Sequence, residues 1–180
     1  MVKEPRPGRV KTRLGRDIGL VQSAWWFRHQ STALIRRLSR DPRWQTVLSV
    51  SPDTEGLQSR VWPKNLARLP QGRGDLGTRM ARAFQALTPG PVVLIGADIP
   101  GVLPKHIARA FQALGRHDLV FGPATDGGFW LVGMTQVPKD VFQNVRWSTD
   151  QTLSDTLAGL TGRRIALIDT LNDVDTAADL

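Results

Sequence analysis

Cysteine is absent from the 180-residue chain. That excludes disulfides, zinc–thiolate sites and cysteine nucleophiles, so any metal has to bind oxygen or histidine. Tyrosine is absent as well. A common base-stacking residue is therefore missing, and no recognisable nucleic-acid motif accompanies the basic residues, which argues against a nucleic-acid-binding module. No apolar run approaches the roughly 18 residues of a membrane span, and the start lacks the apolar core of a signal peptide. The expectation is a soluble, cytoplasmic protein with neither nucleic acid nor membrane as partner. His29, His106 and His117 lie in or beside helical segments without carboxylates at useful spacing, and none is given a catalytic role. Internal repeats, linkers and low-complexity segments are also missing, and the length suits a single domain over 1–180.

What is present is positive charge, unevenly placed. Lys and Arg total 24 against 16 Asp and Glu, for a net charge of +8 and a pI near 11.1. Lys3, Arg6, Arg9, Lys11, Arg13 and Arg16 crowd the first segment, whereas residues 169–180 hold Asp169, Asp173, Asp175 and Asp179 and no cation. One end reads as built for phosphate and the other for a cation. The bland alternative for the overall charge is that arginine is simply common here, as on helix faces at Arg36, Arg37 and Arg40.

Apolar spacing predicts a long helix over 18–38, with Leu20, Val21, Ala24, Trp25, Ala33, Leu34 and Leu38 on its stripe and Asp41-Pro42 ending it. Strands are expected at 46–51, 67–69, 92–95, 118–123, 129–134 and 165–168, a turn at 53–56, and helices at 76–87, 104–114 and 149–160, with a last helical start at 175. Val92 to Ile95 is a continuous apolar run, which fits a strand buried on both faces of a parallel sheet. The alternation predicts an α/β protein, a three-layer α/β/α arrangement around a mostly parallel mixed sheet. Only Met1, Val2 and Lys3 precede the proline-glycine loop, so the expectation is either a sheet that starts late or a first strand largely missing.

Six stretches could carry chemistry. In the opening loop, Lys11-Thr12 follows Val10 where a Walker loop needs glycine, so that signature is absent. There remains a proline-shaped turn, with Gly8 for close backbone approach, a helix start favouring an anion, Lys11 as a point charge, and Arg6 and Arg13 as two-donor grips; a solvated basic loop is the bland alternative. GADIP places Asp98 just past the buried run, where open α/β sheets bind ligands; the carboxylate would bind Mg²⁺ or Mn²⁺ or cap the next turn. Asp126, Gly127 and Gly128 allow close approach of a ligand or an ordinary hairpin, while Asp75 and Gly77 open a helix by capping or by touching substrate. Ser148 and Gln151 have capping-box spacing, and Trp147 either stacks on a sugar or base or staples the helix start. Asp173 and Asp175 stand before the last helical start, where Asp175 is a cap or a second metal ligand opposite Asp98.

Taken in order, K-x-P-x-P-G-x-V-K-T-R-L (3–14), G-D-L-G-x-R-M (74–80), G-A-D-I-P (96–100), D-G-G-F-x-L-x-G (126–133), W-S-T (147–149) and D-V-D-T-x-x-D-L (173–180) resemble a bacterial glycosyltransferase-like family. Its members are named radical-SAM/selenodomain-associated transferases, and some are labelled arsenosugar-biosynthesis glycosyltransferases. The resemblance implies the GT-A, or nucleotide-diphospho-sugar transferase, fold, which nucleotidyltransferases of the guanylyltransferase type share. It implies a basic opening loop beside the nucleotide, Asp98 as the metal-binding carboxylate, and the 126–128 segment facing acceptor or sugar. Family members carry a full first strand before K-x-P-x-P-G, which raises the expectation of a start codon assigned too late.

The expected activity is a metal-dependent transferase using a nucleotide-activated sugar, with a Mg²⁺ or Mn²⁺ ion on Asp98 and Asp175. Lys3, Arg6, Gly8, Lys11, Arg13, Asp75 and Gly77 would serve the nucleotide and its phosphates, Gly127, Gly128 and Trp147 the substrate, and Asp126 would be the base for an acceptor hydroxyl. The alternatives are nucleotidyl transfer, whose enzymes place a more glycine-rich loop after the first strand, and a degenerate nucleotide-binding module.

Overall fold

In the computed structural model, which describes residues 1–87 and 89–180, the polypeptide forms two compact units. The first comprises Met1–Gln71, Gly96–Pro104 and Asn172–Leu180; the second comprises Gly72–Ile95 and Lys105–Leu171. Among the described residues no helix is long and apolar enough to cross a membrane.

The first unit starts with a two-residue strand, β1 (Val2–Lys3). The helix expected over 18–38 is there, but a further helix precedes it: α1 (Thr12–Ile18) and α2 (Leu20–Ser39) break at Gly19, whose φ of 94° only glycine adopts readily. Gly15 permits the tight return, because a Cβ there would come within 2.8 Å of the Leu20 side chain. The buried face of α2 is Ser23, Ala24, Phe27, Ser31, Leu34, Ile35 and Leu38, at i, i+3 and i+4 spacing. Leu20, Val21 and Trp25, counted in the expected stripe, are exposed instead. The helix carries apolar residues on two arcs, and composition alone does not say which arc meets the core. Next come β2 (Val47–Ser51), α3 (Asp53–Gln58) and β3 (Ala67–Pro70). The expected turn at 53–56 is a short helix: Asp53 and Glu55 suit its first turn, and the Arg68 guanidinium donates to the carbonyls of Gly56, Leu57 and Ser59 at its end.

The sheet of this unit runs β1-β2-β3, all parallel, with Val2 opposite Val50 and Val47 opposite Ala67. The Gln71 side chain, 4% exposed, donates to Val2 O at 3.1 Å and Ser49 O at 3.0 Å, clamping the short β1 onto β2. Val2, Val10, Ala24, Phe27, Ile35, Leu48, Val50, Trp62 and Ala97 pack into one core.

The second unit contains α4 (Leu76–Leu87), β4 (Val92–Ile95), α5 (Pro104–Leu114), β5 (Leu119–Pro123), β6 (Phe129–Met134), α6 (Thr152–Ala158) and β7 (Ile165–Leu167). Its sheet order is β4-β6-β5-β7, antiparallel except for β5 with β7. β4 therefore departs from expectation: it is half-buried and antiparallel to β6. A four-residue apolar run carries no information on strand direction. Leu119, Val120, Phe121, Leu131, Val132 and Met134 are fully buried at the centre. His106 is buried too, its ring edge-on to Trp130 at 6.0 Å, and burial holds its pKa below the ordinary value.

Candidate functional site

The candidate site lies wholly in the first unit, where three segments distant in sequence meet. After β1 the chain passes through Gly8, with φ of 73°, and reaches Lys11, at φ 44° and ψ 51°, immediately before α1. A non-glycine residue keeps this left-handed conformation only where its surroundings determine it. Here the surroundings are carboxylates: Lys11 Nζ lies 2.6 Å from Asp98 Oδ2 and 2.7 Å from Asp175 Oδ1. The Arg13 guanidinium donates to the other Asp175 oxygen at 3.0 Å.

Asp98 is held by its own segment. Ala97 is part of the core, and its carbonyl accepts a buried hydrogen bond from Ser31 Oγ at 3.0 Å. Arg37 on α2 donates to Pro100 O at 3.1 Å and Val102 O at 2.8 Å. At about 1 kcal/mol for an ordinary bond, these three fasten the 96–104 loop to α2 and hold the carboxylate without touching it.

Asp175 is not the helix cap. Thr176 takes that part in a capping box with Asp179, whose carboxylate accepts from the backbone N–H groups of Asp175 and Thr176 at 3.1 and 2.8 Å. Asp17 on α1 accepts from the Ala177 N–H at 3.0 Å. Val174 is buried, so the alternation of an extended segment turns Asp173 and Asp175 to the other side together. The carboxylates of Asp98, Asp173 and Asp175 offer oxygens within 4.8 Å of one another. Asp173 completes the set and was absent from the expected ligand pair; the D-V-D spacing was its signal.

The electrostatics follow from partial burial. Lys11 is 7% exposed, against 30% for Asp98 and 33% for Asp175. Burial works to lower the Lys11 pKa, but the charge of Asp98 and hydrogen bonds to both carboxylates outweigh it and hold the pKa above its ordinary value. Burial likewise works to raise that of Asp175, and Lys11 and Arg13 outweigh it, so this pKa is depressed. The Met1 amino group is desolvated, which lowers its pKa to about 6 against the pull of Asp98. Lys11 and Arg13 thus meet Asp98 and Asp175 beside a third carboxylate, that of Asp173. All-oxygen donors suit a hard divalent cation such as Mg²⁺ or Mn²⁺, and a cationic group already bridges two of them, so the triad could hold a metal.

The other expected residues fall elsewhere. Lys3 is exposed on β1, and Arg6 pairs with Glu55 at 3.1 Å on the surface. In the second unit Asp75 accepts the Thr78 N–H at 2.8 Å, and hydrogen bonds from the Thr78 side chain and backbone hold its pKa below the ordinary value. Gly77 lets α4 pack closely, since a Cβ would lie 2.6 Å from Trp147 and 2.8 Å from Phe142. The half-buried Trp147 is an aromatic neighbour of Phe129 and Phe142, at 6.4 and 6.0 Å. Asp126 accepts the Gly128 N–H at 2.9 Å within the β5–β6 hairpin. Gly127, at φ 84°, runs against the Asp150 backbone and its carbonyl accepts the Leu153 N–H at 2.9 Å. Ser148 makes no cap: Thr149 and Thr152 donate to Arg146 O at 2.9 and 2.8 Å before α6.

Residues 34–149 match the family model described as an uncharacterized protein conserved in bacteria (DUF2064). No curated protein matches the sequence. Among solved structures, a candidate nucleotide-diphospho-sugar transferase from Desulfovibrio desulfuricans G20 is similar at 30% identity, over 97% of this chain and 80% of that one, with a TM-score of 0.83. The 4-diphosphocytidyl-2C-methyl-D-erythritol synthase of Anaerococcus prevotii DSM 20548 shares the fold at 10% identity, over 84% and 82%, with a TM-score of 0.55. So does a Mycobacterium tuberculosis H37Rv protein in complex with manganese, at 17% identity over 83% and 80%, with a TM-score of 0.51. The mixed α/β fold, a parallel three-stranded sheet and a mixed four-stranded one, is thus that of nucleotide-diphospho-sugar transferase structures.

Proposed function

The chain belongs to the bacterial DUF2064 family, and on that premise we propose that it is a metal-dependent transferase acting on a nucleotide-activated sugar. The observation that carries the reading is the meeting of Lys11 and Arg13 with Asp98, Asp173 and Asp175 at one place. A nucleoside diphosphate carried with a divalent ion is a ligand that cations beside a hard-metal donor set would fit. The similarity to the Desulfovibrio protein, over nearly the whole chain, supports the same class, and the six ordered motifs support the finer radical-SAM/selenodomain-associated and arsenosugar membership.

A divalent ion, when bound, would neutralise the donor's diphosphate. Asp98, Asp173 and Asp175 would hold it, and Lys11 and Arg13 would donate to phosphate oxygens and stabilise the charge that grows on the departing nucleoside diphosphate. The glycosidic bond to the diphosphate breaks, a bond to an acceptor hydroxyl forms, and the hydroxyl proton passes to a base. Asp126 is our choice for that base, because the family resemblance implies that the 126–128 segment faces the acceptor or the sugar.

The test is product analysis with a panel of nucleotide-sugars and Mn²⁺. Release of nucleoside diphosphate supports glycosyl transfer, whereas release of pyrophosphate from a nucleoside triphosphate would replace it with nucleotidyl transfer. Metal-dependent thermal stabilisation by nucleotide-sugars should vanish in Asp98→Asn; equal stabilisation of both proteins would remove Asp98 from the site.

A further inference from the structure

Lys11 Nζ bridges two of the three carboxylates that could hold a divalent ion. An ion about 2.1 Å from each oxygen it binds, attached to Asp98 Oδ2 and Asp175 Oδ1, would lie no farther than about 4.7 Å from the Lys11 ammonium, and nearer in most arrangements. Like charges that close, in a pocket where the lysine is 7% exposed, repel strongly. We propose that Lys11 is an exchangeable cation: it neutralises Asp98 and Asp175 in the metal-free protein, and a divalent ion displaces it, freeing its ammonium for an anionic oxygen of the ligand that accompanies the ion.

Three observations support the exchange. Asp173 lies close enough to supply an oxygen that the ammonium does not use in bridging Asp98 and Asp175. Arg13, 64% exposed, holds the other oxygen of Asp175 and has no need to move. With an ion on Asp98 and Asp175, Lys11 becomes a second cation on the same two carboxylates. The inference rests on the metal reading of the site, and its test separates the two.

Mn²⁺ is titrated into the full-length wild type, Lys11→Met and Asp98→Asn, with free Mn²⁺ followed by electron paramagnetic resonance. Removing the competing ammonium should tighten Mn²⁺ binding by at least about tenfold, and Asp98→Asn should weaken it by as much. In the wild type, acetylation of Lys11, read by mass spectrometry, should rise severalfold with Mn²⁺ while Lys3, Lys64, Lys105 and Lys139 stay unchanged; this arm decides the matter if Lys11→Met does not fold. If Mn²⁺ binds but Lys11→Met binds it no more tightly, or if Lys11 acetylation does not rise, the exchange is wrong and the metal reading survives. If Mn²⁺ binds none of the proteins, or binds Asp98→Asn as well as wild type, the metal reading fails and the exchange falls with it.

Discussion

Replacing Lys11 by methionine keeps most of the side-chain volume and deletes the charge, so its effect on stability can be worked out from the geometry. Two charge-assisted hydrogen bonds disappear, at 2.6 Å to Asp98 and 2.7 Å to Asp175, each worth roughly 1.5–3 kcal/mol. Asp98 and Asp175 are 30 and 33% exposed, so water recovers part of that loss, and the buried thioether adds some apolar contact. The expected net cost is about 2 kcal/mol, or about 4–8 °C in Tm for a chain of this size. The pH dependence is more telling than the size. In the wild type the depressed Asp175 pKa means stability that is present above about pH 4 and lost as pH falls through the folded value; the raised Lys11 pKa means stability present below about pH 10.5 and lost as pH rises beyond it. The pair therefore contributes evenly between those limits. Without Lys11 the three carboxylates repel one another, and protonating them brings relief. The gap between wild type and Lys11→Met should shrink as pH drops from about 7 towards about 4. Urea unfolding followed by circular dichroism at several pH values measures it. A variant within about 0.5 kcal/mol of wild type at pH 7, or a gap that does not change with pH, would refute the electrostatic reasoning.

Further outcomes follow from the same structure. Arg37→Met removes two of the three hydrogen bonds that fasten the 96–104 loop to α2, so it should cost about 1–3 kcal/mol and also weaken Mn²⁺ binding; unchanged metal affinity on titration would show that the loop holds Asp98 without Arg37. Gly127→Ala combines φ of 84° with a collision against the Asp150 backbone, so a loss of at least about 2 kcal/mol in urea unfolding is expected, beyond a simple glycine-to-alanine exchange. Asp155, bonded to the side chain and backbone of Arg146, has its pKa lowered to about 2. Its stabilisation is thus present above about pH 4 and lost as pH falls through about 2; a carboxyl resonance that titrates near the ordinary value would contradict that pairing.

Local chemistry by itself determined much of this protein. The bounds of α4, β4 and α5 are readable from apolar spacing and from the glycines and prolines around them, because helix and strand periods are properties of neighbouring residues. Composition likewise restricted any metal site to oxygen or histidine, and the opposed charge of the two ends put cations and carboxylates on the list of candidates. Tertiary structure alone decided which of them meet. Lys11 reads in sequence as a group waiting for phosphate, yet its nearest partners are Asp98 and an aspartate 164 residues away. The direction of β4 and the core-facing arc of α2 were settled in the same way, by what packs against them. Ion-pair partners and strand neighbours depend on the path of the whole chain through space, and no window of local sequence carries that path.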